Sequence, residues 1–119
     1  MIHTLAIVGA TGAVGKIILD QLVSRKFPTK NIKLLASQRS AGKTIECGGK
    51  QLVVEALTAE AFRDVQIAIG STPDEVAAEF VPWAVEQGTV VVDESAHFRM
   101  QPDVPLIVPE INPESIRLH

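Results

Sequence analysis

The chain has 119 residues, enough for one compact domain, and its hydrophobic fraction of 46% and charged fraction of 21% are typical of globular proteins. A net charge of −3 gives no reason to expect a nucleic-acid partner, and no apolar run is long enough to span a membrane. The one cysteine cannot form an internal disulfide and no basic leader precedes the first strand, so we expect a cytoplasmic protein.

The first element predicted along the chain is a short buried strand at residues 4–8, followed by a glycine-rich turn and a helix. Gly9 permits a tight exit from the strand, Gly12 lets the backbone approach phosphates, and Gly15 lets the helix pack closely. Free amides and the helix dipole would hold the anion, so the turn predicts a pyrophosphate site. The alternative is a strand–turn–helix unit that needs small residues only for packing.

The helix is predicted at residues 13–25, with Val14, Ile17, Ile18 and Leu22 on its buried face. A second strand follows at 32–36. Residues 44–47 and 51–54 predict a hairpin around Gly48-Gly49-Lys50. A short helix ending at Phe62 and a strand at 66–69 come next.

The sequence from Thr72 to Glu75 predicts the start of the next helix. Thr72 would be the N-cap, Pro73 the first helical residue, and Glu75 the partner in a capping box. Its predicted buried face is formed by Val76, Ala77, Phe80, Val81, Ala84 and Val85. Pro82 predicts a kink or break, and Gly88 the end of the helix.

Two more strands are predicted at 89–92 and 106–108. Strands that alternate with helices predict an α/β, Rossmann-like, doubly wound fold, with a mainly parallel sheet and helices on both faces. The distinctive polar residues follow the strand ends, at Gly9, Ser37, Gly70-Ser71, Asp93-Glu94 and Pro109-Glu110. Ligands bind beyond the carboxyl ends of such strands, so we expect one functional cleft there.

The end of the second strand predicts which dinucleotide is bound. An NAD site usually has an acid there for the ribose 2′-hydroxyl, but residues 36–43 contain none. Arg39 can instead hold a 2′-phosphate through charge-assisted hydrogen bonds, which favours NADP over NAD. The alternative is a solvated basic loop.

Four segments carry a resemblance to a known family. They are Val-Gly-Ala-Thr-Gly-Ala-Val-Gly at 8–15, Leu-Leu-Ala-Ser-Gln-Arg-Ser-Ala-Gly-Lys at 34–43, Phe-Arg-Met at 98–100, and the run from Val104 to Glu114. The chain resembles the N-terminal NADP-binding domain of aspartate-semialdehyde dehydrogenases over essentially its whole length. We therefore expect one dinucleotide-binding domain, residues 1–119.

The resemblance implies an activity and a set of site residues. The family reduces β-aspartyl phosphate with NADPH to aspartate semialdehyde, on the route to lysine, threonine and methionine. Its substrate is a small molecule, and its full-length members form homo-oligomers. Together with the strand ends, the resemblance assigns cofactor binding to Gly9, Thr11, Gly12, Ala13, Val14, Ser37, Arg39, Ser40, Ser71 and Thr72, and binding of the substrate phosphate to Arg99.

Two segments depart from the family pattern. Residues 71–75, Ser-Thr-Pro-Asp-Glu, replace the usual Ser-Ala-Gly-Gly-Ser and add two carboxylates, and Glu94 replaces an asparagine whose amide would donate hydrogen bonds. The alternative function is therefore a non-catalytic or regulatory domain with a degenerate nicotinamide site. A tyrosine-dependent epimerase or reductase is disfavoured because the chain has no tyrosine.

No catalytic residue is expected in this chain. The family's nucleophilic cysteine follows a segment like the one at 104–114, and the chain ends at residue 119 before such a cysteine appears. Cys47 lies in the predicted hairpin and is expected to be structural. The histidines and the cysteine form no cluster with ligand spacing, so no metal site is expected. We therefore expect the catalytic and dimerisation domain to be absent from these 119 residues, which alone would be inactive.

Overall fold

A computed structural model describes residues 2–93 of the chain. The described residues form six strands, which make one sheet, and two α-helices. Their order along the chain is β1 (Ile2–Val8), α1 (Ala13–Ser24), β2 (Thr29–Ala36), β3 (Thr44–Cys47), β4 (Lys50–Ala56), β5 (Ile67–Gly70), α2 (Asp74–Glu86) and β6 (Val90–Asp93). A single 3₁₀ turn, Glu60–Phe62, precedes β5. The predicted strand at 106–108 lies outside the described residues.

The sheet order is β3-β4-β2-β1-β5-β6, and every pairing is parallel except the β3–β4 hairpin. The chain moves from β1 to β2 on one side and later returns to place β5 on the other side of β1. This reversal is the topological switch point of a doubly wound sheet. The predicted α/β Rossmann-like fold is confirmed.

The hairpin that closes one edge of the sheet forms as predicted. Gly48 and Gly49 both have positive φ, 56° and 85°, as a two-residue turn of this handedness requires. The turn therefore lies between β3 and β4, and Lys50 belongs to the strand.

Two hydrophobic layers lie on opposite faces of the sheet. On one face, α2 contributes Ala77, Phe80 and Ala84, and the Phe80 ring stacks on Phe62 with centroids 5.8 Å apart. On the other face, α1 packs through Gly15 and Leu19 against Leu5, Ile7 and Leu34.

The predicted buried face of α1 was partly wrong. Leu19 is buried, Ile18 and Leu22 are half-buried, but Val14 and Ile17 are 46% and 59% exposed. Gly15 is buried where α1 approaches the preceding loop, and a methyl group there would overlap the Gly9 carbonyl oxygen. The buried stripe is therefore centred on positions 15, 19 and 22.

Pro82 predicted a kink or a break in the second helix; the break does not occur, because α2 continues as one helix through Pro82. Val85, predicted on its buried face, is 56% exposed. Its end is as predicted: Gly88 has φ 84°, and the amides of Gly88 and Thr89 donate to the carbonyls of Val85 and Ala84.

Candidate dinucleotide site

A cleft of about 500 Å³ opens where the parallel strands end. The register aligns Val8 with Leu35 on one side and with Gly70 on the other, so the loops after β1, β2 and β5 meet at one edge. We call this the carboxyl edge. The cleft is lined by Val8, Gly9, Thr11, Gly12, Ala36, Ser37, Leu57, Ser71, Thr72, Pro73, Val76, Glu79 and Trp83.

Two of the glycines are required by close backbone contacts. Gly9 has φ 86°, and a methyl group there would overlap the carbonyl oxygen of Ser71. A methyl group on Gly15 would overlap the carbonyl oxygen of Gly9. Gly12 is different, because the nearest atom to an added Cβ, the Gly9 oxygen, is 3.5 Å away. The space beside Gly12 is therefore open to a ligand.

The N-terminus of α1 has the chemistry of an anion site. Gly12 is the N-cap and supplies no side-chain cap, and the first turn contains no acidic residue. The Lys16 amide donates to the Gly12 carbonyl at 3.1 Å, but the three amides before it have no acceptor within the helix. Those amides and the positive end of the helix dipole favour a phosphate at the mouth of the cleft.

The turn after β2 brings a hydroxyl and a guanidinium to the same edge. The Ser37 carbonyl accepts hydrogen bonds from the amides of Ser40 and Ala41, at 2.9 and 3.2 Å. Ser37 lines the cleft, and Arg39 is exposed at the top of the turn. The described residues of this turn carry positive charge and no carboxylate.

The predicted cofactor residues therefore fall into two groups. Gly9, Thr11, Gly12, Ser37, Ser71 and Thr72 line the cleft together. Ala13 and Val14 form the first turn of α1, and Arg39 and Ser40 form the turn after β2, without lining the cleft. Arg99 lies outside the described residues.

The predicted capping box at the start of α2 is wrong. Pro73 is the N-cap, no side chain caps the helix, and the amides of Val76 and Ala77 both donate to the Pro73 carbonyl at 3.1 Å. Thr72 instead lies beside the glycine loop, so that a methyl group added to Gly9 would contact the Thr72 methyl. Its hydroxyl oxygen is buried and has no hydrogen-bond partner among the described residues.

The apolar wall of the cleft was not predicted. Leu57, Val76 and Trp83 are half-buried and line it, and the exposed Glu79 joins them. Positions 76, 79 and 83 have helical spacing, so they form a second stripe on α2 beside the one that packs on the sheet. That spacing is visible in the sequence, but only the packing of α2 shows which stripe meets the cleft.

Cys47 lies at the opposite end of the sheet from the cleft. It pairs with Lys50 at the start of β4, whereas the cleft lies beyond the end of β4. Burial raises the pKa of the Cys47 thiol, and the charge of Asp20 raises it further, against a smaller effect of Lys50. A protonated thiol at this position cannot serve as a nucleophile for a ligand in the cleft.

The fold and the cleft are those of a known protein family. A family model described as the NAD-binding domain of semialdehyde dehydrogenases matches residues 4–119. The chain belongs to this family. The resemblance predicted from the sequence is confirmed, and the domain is one that binds a nicotinamide dinucleotide.

Individual proteins similar to this semialdehyde dehydrogenase domain are aspartate-semialdehyde dehydrogenases. An aspartate-semialdehyde dehydrogenase of Synechocystis is 46% identical over 114 residues, covering 96% of this chain and 34% of the relative. The structure of aspartate semialdehyde dehydrogenase II from Vibrio cholerae complexed with ASA matches with a TM-score of 0.94 at 44% identity, covering 99% of this chain and 39% of that one.

A more distant structure contains a cofactor. It is the aspartate semialdehyde dehydrogenase with NADP from Candida albicans, which matches with a TM-score of 0.85 at 29% identity, covering 98% of this chain and 36% of that one. The chain spans about a third of the length of the relatives it matches.

Neither helix in the part of the chain that the structure describes combines the length and apolar content needed to cross a bilayer. Within the same residues, no three metal-ligating side chains come together.

Proposed function

We propose that this chain binds NADP(H) at the carboxyl edge and is the cofactor-binding domain of an aspartate-semialdehyde dehydrogenase. The whole enzyme would reduce β-aspartyl phosphate to aspartate semialdehyde and inorganic phosphate. The observation that carries the proposal is the cleft itself, which joins an uncapped, acid-free helix N-terminus to a basic turn at the switch point of the sheet.

The pyrophosphate would lie at the N-terminus of α1. Gly12 leaves room for it, and the amides of Ala13, Val14 and Gly15 would donate hydrogen bonds. Thr11 lines the cleft beside these amides. A carboxylate in this turn would repel the ligand, and α1 has none there.

The preference for NADP would come from the turn after β2. Ser37, Arg39 and Ser40 can surround a 2′-phosphate with two hydroxyls and a guanidinium, whereas an acid at this position would select the unphosphorylated ribose. The NADP-containing structure of the Candida albicans relative supports this choice.

The apolar wall would receive an aromatic ring of the dinucleotide. Leu57, Val76 and Trp83 offer the flat, partly dry surface on which such rings pack, next to the hydroxyls of Ser71 and Thr72. When bound, NADPH supplies a hydride. The residues that line the cleft would hold and orient the cofactor.

The remaining chemistry belongs to the rest of the enzyme. The family resemblance implies a cysteine that attacks the acyl phosphate, and Cys47 is at the wrong end of the sheet for that role. We propose that the 119 residues bind cofactor without turnover, and that Arg99 binds the substrate phosphate. We further propose a homo-oligomeric, cytoplasmic enzyme of lysine, threonine and methionine synthesis, with no nucleic-acid or membrane partner.

The test is a titration with NADPH and NADH, followed by the fluorescence of Trp83. Trp83 lines the cleft and is the one tryptophan of a chain without tyrosine, so its emission reports on this site. We expect NADPH to bind at least ~10-fold more tightly than NADH, because hydrogen bonds to a charged phosphate contribute about 1.5–3 kcal/mol. Tighter binding of NADH would contradict the proposed preference.

Arg39→Asp should remove most of that preference. Lys50→Asp makes the same change of charge in the hairpin at the opposite end of the sheet, and should leave both affinities unchanged. If neither cofactor binds at millimolar concentration, the domain is better described as a non-catalytic or regulatory one, whose carboxylates at Asp74 and Glu75 have weakened the site.

A further inference from the structure

Glu79 is the one charged side chain that lines the cleft among the described residues. It is exposed, and within the part of the chain that the structure describes it has no hydrogen bond or ion pair. The helix places it one turn from Val76 and one turn from Trp83, on the stripe that forms the apolar wall. A carboxylate without a protein partner therefore lies beside a surface suited to an aromatic ring.

The apolar wall is backed by the hydrophobic core. Leu57, Val76 and Trp83 are half-buried, and all three pack against the cluster that contains the fully buried Phe62 and Phe80. Close-packed side chains of this kind have little freedom to rearrange. A ring bound on the wall would therefore have a defined position relative to Glu79.

The position of Leu57 indicates which ring of a dinucleotide reaches this wall. The Leu57 amide donates to the Ala36 carbonyl at 2.8 Å, so Leu57 lies directly beside the turn that contains Ser37 and Arg39. That turn is the proposed site of the 2′-phosphate, which NADP carries on the ribose of its adenosine half. The base attached to that ribose is adenine, whereas the pyrophosphate and a second ribose separate the nicotinamide from it. Adenine is therefore the ring expected beside Leu57 and α2.

We propose that Glu79 recognises the adenine of NADP(H) by accepting a hydrogen bond from its exocyclic amino group. This inference rests on the proposed function. An ionised carboxylate accepts hydrogen bonds and does not donate them. Adenine has an amino donor at this position, whereas guanine and hypoxanthine have a carbonyl oxygen, which a carboxylate repels. Glu79 is therefore assigned the selection of the base, and Arg39 the selection of the 2′-phosphate.

Two dinucleotides that differ at this one group of the purine test the assignment. The full chain is titrated with NADPH and with its deamino analogue, in which hypoxanthine replaces adenine. Calorimetry measures both affinities, because a change at Glu79 would alter the fluorescence of the neighbouring Trp83 directly. We expect NADPH to bind ~10-fold more tightly than the analogue, which is the effect expected from the loss of one charge-assisted hydrogen bond.

Glu79→Gln separates recognition of the base from the general effect of charge. The glutamine amide both donates and accepts, so it can pair with either base, and the preference for NADPH should fall to about twofold or less. Loss of a negative charge near an anionic ligand would by itself change both affinities by the same factor. Glu86→Gln makes the same substitution at the last residue of α2, outside the cleft, and should keep the preference of the parent.

The outcomes distinguish this inference from the proposed function. If the parent binds NADPH and the deamino analogue equally well, the assignment of Glu79 is overturned while the NADP site stands. An unchanged preference in Glu79→Gln, or an equal loss of preference in Glu86→Gln, would overturn the assignment in the same way. If neither dinucleotide binds, the proposed function fails and the assignment fails with it.

Discussion

The strand–turn–helix units β1–α1 and β5–α2 both place a helix N-terminus at the carboxyl edge of the sheet, but the residues around the two N-termini differ. Neither helix has a side-chain cap. In β1–α1, the turn begins and ends with a glycine, and the first helical turn has no acidic residue. In β5–α2, the turn is Ser71-Thr72-Pro73, and the first helical turn contains Asp74 and Glu75.

A helix N-terminus favours an anion only where its own side chains leave the dipole uncompensated. Both helices have a positive end at the carboxyl edge, but the carboxylates of α2 already offset its dipole. The first turn of α1 has no carboxylate, so nothing in that turn offsets the positive end of the helix dipole. The proposed preference of a phosphate for α1 over α2 therefore depends on the side chains of a single helical turn.

The largest effect should follow from removing the close contact that shapes the first unit. Gly15→Ala places a methyl group against the Gly9 carbonyl. The overlap costs about 3 kcal/mol, and the better helix propensity of alanine returns about 1 kcal/mol, so we expect a net loss near ~2 kcal/mol in urea unfolding. Gly12→Ala, with 3.5 Å to its nearest neighbour, should stay folded and lose affinity for NADPH. Equal stability of Gly15→Ala and the parent would show that the loop can move.

The second effect concerns the charge that distinguishes the two units. Ala13→Glu gives α1 the kind of first turn that α2 has, and should weaken NADPH binding by ~10-fold or more through repulsion of the phosphates. Gln21→Glu adds the same charge further along the exposed side of α1 and is the control. If Trp83 fluorescence shows that Ala13→Glu binds NADPH as tightly as the parent, the phosphates do not lie at the N-terminus of α1.

The third effect uses the buried hydroxyl in the second unit. Thr72→Val removes a hydroxyl oxygen that has no partner among the described residues, and should raise the free energy of unfolding by about 1 kcal/mol. Thr58→Val is the control with the opposite sign, because the Thr58 hydroxyl accepts a hydrogen bond from the Ala61 amide at 3.2 Å. A loss of stability in Thr72→Val would reveal a partner for the hydroxyl.

The smallest effect should come from the carboxylates of α2. Glu75→Gln removes a charge that favours the helix N-terminus and should cost about 0.5 kcal/mol at low salt, decreasing as salt is added. Glu86→Gln, at the last residue of the same helix, should have the opposite sign. Thermal unfolding at two salt concentrations measures both. If Glu75→Gln loses the same stability at both salt concentrations, Glu75 stabilises the domain by something other than its interaction with the helix dipole.

Local patterns predicted most of this fold. The hairpin follows from two adjacent glycines, and the end of α2 follows from Gly88, because each needs a backbone conformation that few other residues adopt. The strand ends predicted where the cleft lies, since the carboxyl ends of parallel strands meet at one edge.

The errors arose where packing overrides local preference. Thr72 has the sequence context of an N-cap, but it lies beside the glycine loop, and α2 starts at Asp74. Val14 and Ile17 fit an apolar face of α1, but Gly15 is the residue buried where α1 approaches the preceding loop. Trp83 lines the cleft through the placement of α2 across three strands, and no local pattern contains that information.

The carbonyl of Leu35 links the two phosphate-binding segments proposed for the cleft. It accepts hydrogen bonds from the amides of both Gly9 and Ala10, at 2.9 and 3.3 Å, and it lies two residues before Ser37. The glycine loop and the turn that carries Arg39 are therefore held in register by one backbone group. Changes of cofactor preference in that turn will be energetically coupled to the loop, so substitutions in the two segments will not add independently.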